Sequence, residues 1–238
     1  MILYYVRHGD PIYRPNQLTE LGKLQAASVA KRLARYGVDQ IYSSPSKRAL
    51  QTAQPLCELV KKEAVLLDWT DEDIASQEFV VQYPDGRDSW MFLDPQMLRL
   101  FNSDEMRRLG RLWYTHPALA GTVYETAIGR VQREVDDFVE SLGYRHDHEK
   151  NCYYEITPND DRVALFAHAG FAAAFLSCLL DIPYPMFSAR FFMTHSAVTI
   201  INFEPKNGIV IPELLAYSND AHLYADGLPT KFQNEIYF

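Results

Sequence analysis

The sequence predicts an α/β fold: a three-layer αβα sandwich with a mostly parallel central sheet and a helical or irregular cap insertion. Three observations carry this expectation. The runs ILYYV, VALFA and AVTIINFE are β-branched, aromatic or aliphatic throughout, as in strands covered on both faces. Helical periods recur between such runs, the rhythm of parallel strands joined by crossover helices. A chain of 238 residues, 47% hydrophobic and 23% charged, supplies enough apolar side chains for a substantial core. One domain over 1–238 is expected, with a cap-like insertion at about 71–127.

Taken in order, Ile2 to Val6 reads as a buried strand ending in the loop Arg7-His8-Gly9-Asp10. In LTELGKLQAASVAKRLARYG, Ala26, Val29, Ala30 and Leu33 fall at helical spacing, with Thr19 as N-cap and Gly37 as the stop. DQIYSS is the second strand. The next helix, SPSKRALQTAQPLCELVKK, is expected to take Ser44 as N-cap and Pro45 at its first position, and to kink or split at Pro55. EAVLLDW is a third strand. From Asp71 to Ala127 the rhythm fails, with one helix expected through NSDEMRRLGRLWY and no strand of sheet quality. Here the aromatics Phe79, Trp90, Phe92, Trp113 and Tyr114, with Trp69 just before them, read as packing that holds the cap to the main body. GRVQREVDDFVESLG returns to a clean amphipathic helix, with Val131, Val135, Phe138, Val139 and Leu142 on one face. RHDHEKNCYYEITPNDD reads as a polar connection, RVALFAHAGF as a strand and loop, and AAFLSCLLDI as a helix. AVTIINFE and GIVIPELLAYSND close the chain as strands.

A net charge of −8 argues against a nucleic-acid partner, because duplex binding needs a basic face. The longest apolar run, AGFAAAFLSCLLDI, is too short to span a bilayer, so no membrane partner is expected. Met1 leads straight into a strand without a signal-like segment, and Cys57, Cys152 and Cys178 form no pairing pattern. Both features point to a reducing, cytoplasmic setting.

Two strands end alike: YYV runs into Arg7-His8-Gly9, and VALFA runs into His168-Ala169-Gly170. In a parallel arrangement these ends share the sheet edge at which open α/β sheets bind ligands. QIYSS ends there too, just before Ser44-Pro45-Ser46-Lys47-Arg48, adding a helix start and the fork of Arg48. Two arginines and two histidines at one point suit phosphoryl transfer. Guanidinium groups stabilise charge spread over three phosphoryl oxygens, and a neutral histidine locked at one nitrogen attacks with the other. A carboxyl group must also protonate the departing alcohol.

These motifs resemble the histidine phosphatase superfamily, branch 1, whose fold is called phosphoglycerate mutase-like. The likeness rests on R-H-G after the first strand, L-T-x-x-G-x-x-Q-A at Leu18 to Ala26, S-S-P-x-x-R-A-x-Q-T-A at Ser43 to Ala53, and H-A-G at His168 to Gly170. It implies that His8 is the residue phosphorylated and that Arg7, Arg48 and His168 complete the phosphate pocket. Asn16 matches a polar residue that touches the phosphate, and Ala169 stands beside the substrate path where a glycine is frequent. For the acid, Glu72 matches best by spacing, with Asp71, Asp73 and Glu78 as alternatives. Asp10-Pro11 departs from the usual pair after R-H-G.

The implied activity is a metal-independent phosphoric monoester hydrolase acting on a small phosphorylated metabolite through phospho-His8. No cofactor and no metal are called for, and a homodimer is left open. The alternatives are phosphoglycerate mutase-type transfer, a non-catalytic phosphate-binding protein of the same fold, and a metallohydrolase built on His8, Asp10 and His168. The remaining histidines are expected to have bland roles. His116, His146 and His148 read as solvated, His195 as capping a strand and His222 as a surface residue. Arg107-Arg108 reads as a solvated helix face rather than a carboxylate clamp.

Overall fold

In the first strand, Leu3 and Tyr5 pack into one apolar cluster while Tyr4 and Val6 pack into another. That period of two means both faces of the strand are covered. The computed structural model describes residues 1–230. Its strands are β1 (Ile2–Arg7), β2 (Pro11–Ile12), β3 (Gln17–Leu18), β4 (Gln40–Ser43), β5 (Ala64–Leu66), β6 (Val80–Gln82), β7 (Asp88–Trp90), β8 (Tyr144–Asp147), β9 (Cys152–Glu155), β10 (Arg162–Ala167), β11 (Val198–Asn202) and β12 (Glu213–Asn219). Its helices are α1 (Glu20–Tyr36), α2 (Lys47–Val60), α3 (Glu72–Glu78), α4 (Pro95–Phe101), α5 (Asp104–Leu109), α6 (Tyr124–Ser141), α7 (Ala169–Leu179), α8 (Tyr184–Ser188) and α9 (Ala221–Ala225).

The main sheet has the order β12-β11-β1-β10-β4-β5. β1, β10, β4 and β5 pair in parallel, and β11 runs antiparallel to both β1 and β12. The expected mixed α/β architecture with a mostly parallel sheet is therefore present. Val29, Ala30 and Leu33 of α1 and Ala53 and Leu56 of α2 cover one face with Tyr4, Val6 and Phe166. Val131, Val135 and Phe138 of α6 and Phe171 and Phe175 of α7 cover the other with Leu3, Tyr5 and Leu165. No helix among the described residues is long and apolar enough to cross a membrane.

Thr19 caps α1 by accepting from the Gly22 N–H, and Gly37 ends it at φ +83°, both as expected. The second helix differs. α2 begins at Lys47 with Ser46 as N-cap, and Ser44 lies before it, its Oγ accepting from the Ser46 N–H and facing His168. It also runs through Pro55 without a break; only the Gln51 carbonyl loses its i+4 donor there. Most of the polar connection expected at 145–161 belongs instead to the hairpin β8–β9, with Tyr144, Cys152 and Tyr153 buried. Within 71–127 the chain forms α3, the hairpin β6–β7, α4, α5 and two 3₁₀ turns. The helix expected through NSDEMRRLGRLWY is α5 followed by a 3₁₀ stretch, divided at Gly110, whose φ is +56°. Trp69 packs on Phe171, Phe138 and Phe175, while Phe79 and Trp113 stack on Tyr184 of α8. The aromatics thus fasten this segment to the second face of the sheet.

Candidate active site

The R-H-G loop is held by motif residues that carry no charge. The Gly9 N–H donates to Thr52 Oγ1 at 3.0 Å, the Asp10 N–H donates to Gln25 Oε1 at 2.8 Å, and the Leu18 N–H donates to Gln51 Oε1 at 2.8 Å. Gln25 and Thr52 are fully buried, so each satisfies a loop amide that water cannot reach. Two glycines let α1 sit against the loop. A Cβ on Gly22 would lie 2.2 Å from the Asp10 carbonyl, and one on Gly9 would lie 2.6 Å from the Gly22 carbonyl. Both near neighbours are backbone, so neither glycine can gain a side chain without displacing the loop.

This loop presents His8, which is 1% exposed. Its Nδ1 lies 2.7 Å from the Gly9 carbonyl. A carbonyl only accepts, so Nδ1 carries the hydrogen and Nε2 keeps its lone pair. Burial, then the neighbouring His168, which competes for a proton, and the Arg7 charge hold the His8 imidazole well below its ordinary pKa. The ring is therefore neutral at neutral pH. His168, fully buried at the end of β10, has its ring centroid 5.2 Å from that of His8. Its Nε2 lies 2.8 Å from Ser44 Oγ. Ser44 Oγ also accepts from the Ser46 N–H at 3.3 Å and keeps its own hydrogen to give to Nε2, an arrangement in which the His168 hydrogen sits on Nδ1. Burial, then Arg48 and Arg7, keep this ring neutral as well.

Arg7 and Arg48 are 8% and 5% exposed. Arg7 donates to the Met193 carbonyl and, at 2.9 Å, to His195 Nε2. Arg48 donates to Asn16 Oδ1 at 3.0 Å and to Glu72 Oε2 at 2.7 Å. The Nε of each arginine is buried without a hydrogen-bond partner among the described residues. Unspent donors on two buried guanidinium groups suit a multiply charged oxyanion.

Of the four candidate acids, the structure brings only Glu72 to this point. Its Oε2 lies 3.5 Å from His168 Nδ1, and its Oε1 accepts from the Gly170 N–H at 3.1 Å, at the first turn of α7. Asp71 is spent as the N-cap of α3, accepting from the Asp73 N–H, and Asp73 is exposed. Glu78 pairs with Arg130 at 2.5 Å, away from the histidines. Asn16 lies beside Arg48 and Ser46, and half-buried Ala169 follows His168. The 71–127 segment reaches this edge too, since a Cβ on Gly170 would meet the Trp90 ring at 2.5 Å.

Several expectations need correction. His195 does not merely cap a strand: its ring centroid is 5.7 Å from that of His8, and it accepts from Arg7. Accepting at Nε2 places its hydrogen on Nδ1, which faces Asp10 Oδ1 at 3.6 Å. Asp10 itself takes the Thr19 hydroxyl at 2.8 Å. His222 is 5% exposed rather than at the surface, and lies 3.0 Å from Ser196 Oγ. His116 is 8% exposed, with Nδ1 accepting from the Ala118 N–H, and the His146 side chain is 1% exposed between two carboxylates. Arg107 and Arg108 are exposed, as expected.

Donor atoms of His8, Glu72 and His168 lie within 4.8 Å of one another, a spacing that fits a metal ion. The two buried guanidinium groups in the same pocket oppose a dication there. They favour an anion instead.

Comparison with known proteins agrees with this chemistry. Residues 3–78 match the family model of the Histidine phosphatase superfamily (branch 1). That stretch, about a third of the chain, holds the R-H-G loop, the L-T-x-x-G-x-x-Q-A motif and S-S-P-x-x-R-A-x-Q-T-A. Over 187 residues it is 25% identical to putative phosphoserine phosphatase 2 of Hydrogenobacter thermophilus, covering 75% of this chain and 77% of the relative. Phosphoserine phosphatase 1 of that organism is 26% identical over 153 residues, 60% of this chain and 65% of the relative. In fold, the chain resembles phosphoserine phosphatase from Entamoeba histolytica, crystallised with phosphoserine, at a TM-score of 0.59 and 19% identity. That likeness covers 93% of this chain and 98% of the other. A mycobacterial glucosyl-3-phosphoglycerate phosphatase, crystallised with inorganic phosphate, gives a TM-score of 0.59 at 22% identity, again over 93% and 98%. Each of these relatives and neighbours is named as a phosphatase.

Proposed function

We propose that the protein hydrolyses a small phosphorylated metabolite through a phosphohistidine on His8, without a metal. The observation that carries this reading is the hydrogen bond from His8 Nδ1 to the Gly9 carbonyl, which leaves Nε2 as a free nucleophile in a pocket of guanidinium groups. In the first step, the Nε2 lone pair attacks phosphorus and the bond to the leaving alcohol oxygen breaks. Arg7, Arg48 and the Nδ1–H of His168 stabilise the three transferring oxygens. Glu72, in its acid form, gives the alkoxide its proton. As a carboxylate it then takes a proton from water, whose oxygen attacks phosphorus and breaks the P–Nε2 bond. Neutral His8 and inorganic phosphate result. In the free protein Glu72 is held by Arg48, and phosphate oxygens compete for that same fork, which releases the carboxyl group for proton transfer.

The relatives named for phosphoserine, and the neighbour named for glucosyl-3-phosphoglycerate, make small anionic monoesters the first substrates to try. The test is hydrolysis of p-nitrophenyl phosphate and phosphoserine in excess EDTA, with wild type and His8→Ala. Activity in the wild type and a loss of at least about a thousandfold in the variant are expected. Activity restored only by a divalent cation, or retained by His8→Ala, would overturn the reading.

A further inference from the structure

A second cluster of ligand-type side chains lies at the opposite end of the molecule. α7 starts beside Glu72 and ends at Leu179, where its carbonyl accepts from Tyr153 OH of β9 at 3.0 Å. The helix length separates the two places by about 16 Å. There Asp136 of α6, His146 of β8 and His148 of the following turn place donor atoms within 4.8 Å of one another. Nδ1 of His146 lies 2.9 Å from Asp136 Oδ1, and Nε2 of His148 lies 2.8 Å from Asp136 Oδ2. The two imidazoles lie side by side, their ring centroids 4.1 Å apart.

We propose that Asp136, His146 and His148 form a zinc-class divalent cation site that fastens the β8–β9 hairpin to α6, apart from the phosphate pocket. The surroundings of the three donors match what such a site requires. The other nitrogen of His146, Nε2, faces Asp181 Oδ2 at 3.0 Å, the outer carboxylate that fixes the tautomer and plane of a ligating histidine. Tyr153 holds that ring from the side, its centroid 4.1 Å away and its plane tilted by 10°. Asp136 is oriented by Gln132, whose Nε2 donates to Oδ1 at 3.0 Å. Arg111 neutralises the free oxygen of Asp181 at 3.5 Å, so Asp181 stays in the outer position. The His148 side chain is half exposed, which gives an entry path and room for a water as fourth ligand.

Two imidazole donors among three select zinc and its neighbours over magnesium or calcium, which prefer oxygen. Zinc–ligand bonds of about 2.0 Å in a tetrahedron separate donors by about 3.3 Å, so the facing atoms need to part by roughly half an ångström. Both His146 nitrogens face carboxylates, which only accept, so without metal each carries a hydrogen. Binding replaces the Nδ1 proton, which leaves to solvent, while the Nε2–H remains on Asp181.

The test is zinc titration by calorimetry of protein stripped with chelator, with cobalt(II) absorption as a second readout of ligand number and geometry. Wild type and His8→Ala are expected to bind one equivalent at this site. His148→Ala, a change at a half-exposed side chain, is expected to weaken binding at least about tenfold. Asp136→Asn and His146→Gln repeat the comparison if His148→Ala folds poorly by circular dichroism. Absence of one-to-one binding, equal affinity in wild type and the folded ligand variant, or loss of the site in His8→Ala would each overturn the proposal.

Discussion

At the scale of single residues, the site separates carboxylates that look interchangeable in LLDWTDEDIASQEF. Glu72 touches Arg48, the start of α7 and the edge of His168, whereas Asp71 caps α3, Asp73 faces solvent and Glu78 holds Arg130. Glu72→Gln keeps the shape and one of the two accepted hydrogen bonds but cannot shuttle a proton. Its kcat is expected to fall by about a hundredfold to ten-thousandfold on a poor leaving group such as phosphoserine. The loss should be smaller on p-nitrophenyl phosphate, whose leaving group needs little protonation. Asp71→Asn and Asp73→Asn should stay near wild type. Steady-state kinetics on the two substrates read this directly, and an equal loss on both would remove Glu72 from the acid role. The choice was only partly visible in the sequence. Spacing favoured Glu72, but four acids within about two helical turns differ mainly in partners that arrive from distant segments.

At the scale of elements, the motifs of uncharged residues prove to be the scaffold. Gln25 and Thr52 tie α1 and α2 to the R-H-G loop, Gln51 ties α2 to β3, and Gly22 permits the approach. These were legible because helix caps, glycines and short strands leave local signatures. The β8–β9 hairpin was not. RHDHEKN reads as a loop because its polar side chains find partners in Asp136 and Asp181, which belong to other elements. His222 on α9 shows the same effect, being buried against Ser196 and near Arg32. Burial, then the Arg32 charge, lowers its pKa to about 4. A group lowered on folding from about 6.5 leaves stability intact above that value and costs stability as pH falls toward 4. Urea unfolding should show about 2–3 kcal/mol less stability from this group at pH 4 than at pH 7. His222→Gln should flatten that limb; an unchanged acid limb in the variant would assign it elsewhere.

At the scale of the whole molecule, the sheet explains both what was legible and what was missed. β1, β10 and β4 are parallel, so their carboxyl ends bring His8, His168 and the start of α2 to one edge, as strand order alone suggests. β11 runs the other way, so its amino end arrives at that same edge. His195 therefore enters the site from the beginning of a strand, where a rule about carboxyl ends does not look. All of these arrangements serve one nucleophilic nitrogen. The most direct test is to quench the protein during turnover of ³²P-phosphoserine and follow the label on the chain. The account predicts up to one acid-labile, alkali-stable phosphoryl group per chain, located on His8 and absent from His8→Ala. Turnover with no such label in the wild type, or equal labelling of His8→Ala, would contradict it.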